Sequence, residues 1–295
     1  MYGFINLNKS ANLTSHDVIN KLRKITGIKQ IGHGGTLDKL ATGVLPIAIG
    51  KATRFIQFLP TNKTYIATIL LGLTTDTYDL DGKVINDCTD RVDFNYQEIY
   101  DCVMGFIGEQ KQKPPLYSAC KLNGKRLSDY ARSNIILAEV ASRKIIINNI
   151  KILNIDLPYL SIEVDCQSGT YIRSLAFDIG NKLGVGACLK HLQRTKSGNF
   201  TITDALDLDY LSNLSSNELN QSSVIQPCQT VLNFPQIIIE DAKIASKINN
   251  GQSVSSLDLG AETIADPKIL VIFGENMAIM ELQENSYYHP KVVLK

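Results

Sequence analysis

Apolar residues recur at helical spacing at Val18, Ile19, Leu22 and Ile25 within "LTSHDVINKLRKITG". That spacing predicts a helix capped by Thr14 or Ser15, with Asp17 in its first turn and Gly27 as its stop. The pattern then changes. "GHGGTLDKLATG", residues 32–43, is small and polar and reads as a loop; "VLPIAIG" follows as a short buried strand, and "KATRFIQFL" reads as helical. "TYIATILLG" has the β-branched and aromatic composition of a strand, and "TTDTYDLDGKV" is a polar turn whose Asp81-Gly82 pair signals a hairpin. Ile99, Val103, Phe106 and Ile107 return to the helical interval.

Residues 109–134, with adjacent prolines and dense basic residues, predict an extended insertion over the surface. "RKIIINNIKIL" and "LSIEVDC" predict paired strands. Ile172, Leu175, Ala176, Ile179 and Leu183 mark an amphipathic helix over 170–183, closed by Gly184. A stretch rich in Ser and Asn, 212–229, reads as a hinge, and from Leu232 short apolar segments ("QIIIE", "KILVIFG", "MAIMEL", "KVVL") alternate with turn residues, as in a small β-rich domain. No internal repeat is evident.

Composition bounds the class. With 44% hydrophobic and 20% charged residues the 295-residue chain is ordinary globular usage, enough for one large domain and one small one. The first residues lack a signal-peptide pattern, and no apolar run reaches the ~20 residues needed to span a bilayer. Six cysteines are scattered without a CxxC pair, which speaks against zinc and a disulfide scaffold and makes a reduced cytoplasm the expected location.

A formal net charge of +1 conceals an uneven distribution. Residues 1–63 carry nine Lys/Arg against two acids, residues 111–144 eight against two, and residues 182–196 four against none, whereas residues 200–295 carry twelve acids and five bases. Three basic segments are the electrostatic footprint of a polyanion binder, although solvated lysine faces are commoner.

Candidate chemistry starts with Asp38, the carboxylate within the glycine-rich loop; most such aspartates bond their own backbone. "DTYDLDGKVINDCTD" fails the register of a calcium loop, since Tyr78 and Leu80 occupy ligand positions counted from Asp76. No phosphate-binding G-x-x-x-x-G-K-[ST] is present, and no Ser or Cys sits in a nucleophile context. Arg173 lies in the first turn of its helix, where a cation is disfavoured; such a residue usually faces a carboxylate or a phosphate, although solvent could equally absorb the penalty. Tyr65 and Tyr171 read singly as core packing.

Five segments in this order change the reading: "GHGGTLDKLATGVLPIAIGKATRF", "KTYIATILLGLTTDTYDLDGKV", "PPLYSACKLNGKRLSDYAR", "CQSGTYIRSLAFDIG" and "LQRTKSGNF". Together they resemble the TruB family of tRNA pseudouridine synthases from about residue 3 to 204, and the tail ending "SYYHPKVVL" resembles, more weakly, that family's C-terminal PUA-type domain. The resemblance implies an α+β fold. A catalytic domain on a mixed β-sheet with flanking helices would span 1–230, with 111–144 as a basic RNA-contacting insertion that closes over RNA. A small PUA-like RNA-binding domain would span 231–295. It implies isomerisation of uridine 55 in the tRNA T loop to pseudouridine, without cofactor or metal, by a cytoplasmic monomer with no membrane or obligate protein partner.

By the same resemblance, Asp38 is the nucleophile on the target nucleotide, and His33 lies near that flipped nucleotide. Tyr65 stacks on its base and takes part in proton removal. Tyr171 and Leu192 line the substrate pocket, and Arg173 pairs with the catalytic carboxylate. A carboxylate can add to a nucleotide and then leave, and a neighbouring guanidinium favours its ionised form. Small residues such as Gly34, Gly35, Ala41 and Gly43 leave space for an RNA strand, and extrusion of a stacked uridine is offset in part by stacking on an aromatic, worth ~1–3 kcal/mol per base.

The chain departs from the family pattern at Gly34, where Thr is usual, at Lys39, where Pro is usual, and after Lys9, where "NKSANLTS" lacks the usual Pro and Gly. Two other classes stand beside this reading. A tRNA-binding or RNA-folding protein would need the basic surfaces and stacking aromatics but not the carboxylate. A hydrolase of small glycosides would usually want a second catalytic acid, and none declares itself.

Overall fold

A computed structural model of the chain describes residues 2–118, 120–133, 140–221, 223–261, 264 and 266–295. Ten strands of the described residues form one mixed sheet. Along its main path the order is Leu206–Asp207, Gly3–Lys9, Thr42–Ile49, Ala187–Ser197, Lys63–Leu71, Tyr159–Cys166, Arg143–Asp156, Gly108–Gln112; Ile31–His33 pairs with Thr42–Ile49, and Phe200–Thr201 with Ala187–Ser197. Most neighbours are antiparallel, but Thr42–Ile49 meets Ala187–Ser197 in parallel through only two pairs, Thr42 with Gln193 and Gly43 with Arg194. The strands part beyond that short contact.

The helices form for the reasons the pattern gave. Ser15–Thr26 starts on a reciprocal box: the Thr14 hydroxyl accepts the Asp17 N–H, and the Asp17 carboxylate accepts the Thr14 N–H. Gly27 closes it in the left-handed region with φ 71°. Val18, Ile19 and Leu22 pack with Ile5, Leu7, Leu45 and Ile47 in the principal core, each such burial contributing roughly 1.5–3 kcal/mol. Gly50–Phe58 is helical as read, but as a 3-10 helix, whose three-residue repeat buries Ala52 and Phe55.

Three differences from the sequence reading matter for function. The Asp81-Gly82 hairpin exists, joining Leu73–Thr75 to Val84–Asp87, but its connection is long and folds back so that Asp79 is buried. The insertion is not simply draped over the surface. Its base is the Gly108–Gln112 edge strand, its middle is a hairpin of Lys121–Leu122 with Lys125–Arg126, and the helix Leu127–Arg132 seats Leu127 in the interior. Residues 134–139 of this segment lie outside the described residues. The expected hinge is pinned as well, because Gln226 exchanges two backbone hydrogen bonds with Phe4, at 2.9 and 2.7 Å.

The C-terminal sheet has the order Gln236–Ile238, Lys268–Phe273, Asn276–Leu282, Tyr287–Leu294, Val254–Ser255. A helix that the alternation did not signal, Ala242–Asn249, is capped by the Asp241 side chain. Leu270, Ile279, Val292 and Leu294 share a buried cluster with Phe4, Val44, Ala48 and Phe55 from the main sheet. The C-terminal unit is therefore docked through a common apolar core rather than tethered. No helix of the described residues is long and apolar enough to cross a membrane, and all six cysteines are free thiols.

The helix Ile172–Lys182 carries one group at odds with its setting. Burial pushes the Asp178 carboxyl up to about 6. The folded chain thus holds that proton more tightly than the unfolded chain, so stability falls as pH rises from about 4 to 6 and stays lowered above. Asp178→Asn is expected to stabilise the protein at pH 7.5 by ~1 kcal/mol, discounted because solvent still reaches the group, and to flatten that decline. Urea melts at pH 4.5 and 7.5 check it; a variant weaker than wild type at pH 7.5 would mean the carboxylate makes a contact the fold needs.

Candidate active site

Where the Thr42–Ile49 and Ala187–Ser197 strands part, the glycine-rich loop fills the gap. Several contacts tie the loop down. The Ser15 hydroxyl accepts the Leu37 N–H at 2.9 Å and donates to the Leu37 carbonyl at 3.2 Å, which anchors the loop to the first helix. The Lys9 ammonium, wholly inside the protein, donates to the carbonyls of Ser10, Leu13 and Lys39; burial drives it down to about 8, against the opposing pull of Asp38. The Asn12 N–H also reaches the Lys39 carbonyl, at 2.9 Å.

The departures from the family pattern are accommodated here. Asn12 takes the left-handed turn at φ 66°, a conformation Asn tolerates better than other side chains. Lys39 turns its side chain to solvent. A Cβ at Gly34 would meet Leu59 Cδ1 at 2.9 Å and Pro46 Cβ at 3.3 Å, so a larger residue there requires the Leu59 side chain to shift.

Asp38 emerges from this loop with its side chain 34% exposed, held by the 5%-exposed Arg173. The pairing is two-pronged: Arg173 Nε donates to Oδ2 at 2.9 Å and Nη2 to Oδ1 at 3.0 Å, a fork that fixes the plane of the carboxylate. The cation at this helix N-terminus faces two anions. Arg173 Nη1 stands 3.3 Å from Asp79 Oδ2, and the remaining donors go to the carbonyls of Thr77 (3.1 Å) and Tyr117 (3.0 Å). Asp79 is itself held by the Thr77 hydroxyl and the Asp81 N–H; burial nevertheless outweighs these contacts and Arg173, and raises its carboxyl above the usual range.

The base of the insertion completes the support. Gln112 brackets Tyr171, accepting its N–H at 2.8 Å and donating to its carbonyl at 3.1 Å, and the Ser174 hydroxyl donates to the Lys113 carbonyl.

Asp38 opens into a cavity of about 240 Å³, lined also by Tyr65, Tyr171, Leu192, Lys63 and the 168–170 turn. Four of the six residues singled out from the sequence thus line one hollow, and Arg173 backs it. Tyr65 is 7% exposed, and burial raises its phenol, with the Arg194 guanidinium opposing. His33 does not line the cavity. Its Nδ1 accepts the Gly35 N–H at 3.3 Å, and burial first, then the charge of Arg194, hold the imidazole below its ordinary 6.5, so it shapes the loop as a neutral acceptor. Two roomier hollows, about 550 and 670 Å³, lie at the junction with the C-terminal sheet and contain none of these groups. Among the described residues no group of three or more His, Cys, Asp or Glu is placed to hold a metal ion.

Sequence reasoning missed Asp79 and Arg194. Arg194 is fully buried and donates to the carbonyls of Val44, Gly35 and Thr36, making it the strut under the loop. Its signal was there: it stands two residues from Leu192 on a strand, hence on the same face.

A family model described as TruB family pseudouridylate synthase (N terminal domain) matches residues 23–172, and one described as tRNA pseudouridylate synthase B C-terminal domain matches residues 173–233. Relatives named tRNA pseudouridine synthase B include that of Clostridium kluyveri, 40% identical over 294 residues and 99% of each chain. Those of Clostridium tetani, 42% identical over 95% of this chain and 94% of the relative, and Clostridium acetobutylicum, 43% over 92% of each, are similar throughout. Among solved structures, the fold is similar to that in a Cbf5-Nop10-Gar1 complex, with TM-score 0.69 and 27% identity over 96% of this chain and 79% of that one. An archaeal box H/ACA sRNP Nop10-Cbf5 complex matches with TM-score 0.69 and 26% identity over 99% and 85%.

Proposed function

Since the chain belongs to the TruB family of pseudouridylate synthases, we propose that it converts uridine 55 in the T loop of tRNA to pseudouridine, with Asp38 as the nucleophile. The chain is a tRNA pseudouridine synthase, an isomerase that acts within one nucleotide. The observation that carries the finer reading is a partly exposed carboxylate, clamped by a buried guanidinium, at the wall of a hollow of about 240 Å³. Such a space suits one extruded nucleotide rather than a duplex.

The chemistry follows from those groups. The N1–C1′ bond breaks, the uracil turns, C5 joins C1′, and the C5 proton leaves while N1 gains one. Asp38, its plane fixed by the Arg173 fork, adds to the nucleotide as the base is released and departs when C5 bonds. Tyr65 offers an aromatic wall for the extruded base, with Leu192 and Tyr171 closing the hollow around it. The basic segments 1–63, 111–144 and 182–196 supply attraction for the RNA backbone that falls steeply with salt. The T arm docks on these surfaces, the C-terminal unit extends the RNA-binding area, and the protein acts as a monomer.

Because the C5 proton must be lost, tRNA transcripts carrying tritium at uridine C5 provide the test. Wild-type protein is expected to release one equivalent of tritium per tRNA, and a transcript with cytidine at position 55 none. Equal release from both transcripts would exclude position 55 as the target.

A further inference from the structure

One cation lining the cavity lacks a carboxylate. Lys63 opens the strand that carries Tyr65 two residues on, so the two side chains share a face. Its Nζ donates to the Ser168 hydroxyl at 3.3 Å, and it joins no ion pair with any described residue. Burial first, then the charge of Arg194, pushes the ammonium down to about 8. A half-buried ammonium without a counter-charge is costly, and a site that retains one is complete only when an anion arrives.

The surroundings fit an anion. The N–H groups of Ser168 and Gly169, in the turn that lines the same cavity, bond to no described residue, and free neighbouring amides favour negative charge. Gly35, on the other side, leaves room for the lysine: a Cβ there would sit 2.8 Å from Nζ, and φ 140° already disfavours a side chain. The ammonium and the reacting carboxylate line the same cavity without forming an ion pair, so the two charges stand apart within it. A nucleotide likewise carries its glycosidic bond and its phosphate at separate ends.

We propose that Lys63, with the Ser168 and Gly169 amides, anchors the RNA phosphodiester flanking the everted uridine and so sets that nucleotide's position relative to Asp38. This deepens the functional reading above and rests on it.

The test measures binding of an unmodified T-arm stem-loop to full-length Asp38→Asn protein, alone and combined with Lys63→Gln or Lys63→Arg, and turnover in the corresponding Asp38 proteins. Lys63→Gln is expected to weaken binding ~10-fold at 0.1 M salt and to lower the slope of log affinity against log salt by about one, with KM raised and kcat within ~3-fold. With Lys63, affinity falls between pH 7 and 9 as the ammonium titrates; Lys63→Arg restores binding and removes that fall, because its charge persists. A methylphosphonate at the flanking phosphate should weaken the Lys63 protein as much as Lys63→Gln does, and leave the Lys63→Gln protein unchanged. An unaltered salt slope for Lys63→Gln, additive losses from variant and methylphosphonate, or a collapse of kcat at constant KM would each overturn the anchor while wild-type turnover leaves the functional reading standing. Wild-type protein that binds tRNA and forms no pseudouridine would overturn both.

Discussion

Asp38→Asn is expected to abolish pseudouridine formation, lowering kcat by about 10⁴-fold or more, the scale seen when a nucleophile is removed from an assembled site. The substitution keeps the shape of the side chain but removes its charge and replaces one acceptor oxygen with an NH2 donor, so one prong of the Arg173 hold is lost. Arg173 keeps Asp79 and the carbonyls of Thr77 and Tyr117, so the fold and the RNA surface should survive. Stability is expected to change by less than ~1 kcal/mol, because Asp38 is partly in water and its pairing is weakened by solvent. Single-turnover rates and urea melts on the same preparation separate the two effects. A rate within ~10-fold of wild type would remove Asp38 from the chemistry.

Arg173→Met is expected to be the opposite kind of lesion, one that damages both stability and activity. Removing a buried guanidinium strands the two carboxylates it holds, and breaking a buried pair in this way costs about 3–5 kcal/mol. Asp79, 6% exposed, bears most of that cost, whereas Asp38 can turn to solvent. Arg173→Lys should recover part of the stability and little of the activity, since an ammonium cannot reproduce the two-pronged hold on Asp38. Asp79→Asn in the Arg173→Met background should restore some stability by removing the stranded charge. Denaturant midpoints for wild type and these three variants check it. If Arg173→Met cost less than ~1 kcal/mol, the buried pairs would be energetically idle.

Much of the fold was legible because local signals agreed. The Thr14–Asp17 box, the Gly27 stop and the apolar interval at Val18 and Leu22 all specify the same helix, and the β-branched and aromatic composition of "TYIATILLG" matches the strand Lys63–Leu71. Strand order was not legible, since nothing local tells Lys63–Leu71 that its neighbours are Tyr159–Cys166 and Ala187–Ser197. Asp79 was hidden for a related reason. Within a run of acids, tested only against calcium-loop spacing, its partner is an arginine 94 residues away that the chain brings back through the long hairpin connection. The segment around Gln226 read as a hinge because it is poor in apolar residues, yet two backbone hydrogen bonds and the nearby Cys228, Val231 and Leu232 hold it to the core. Arg173, by contrast, left a partial signal, because a cation in the first turn of a helix is disfavoured and either an anion or solvent must offset it.

Position-resolved mapping of pseudouridine on unmodified tRNA, with wild-type and Asp38→Asn proteins each added until the same fraction of RNA is bound, bears on the role of the carboxylate. Modification at uridine 55 by wild type, with none from the equally loaded variant, is the expected outcome. Product from Asp38→Asn at the wild-type rate would mean that the reaction proceeds without that carboxylate.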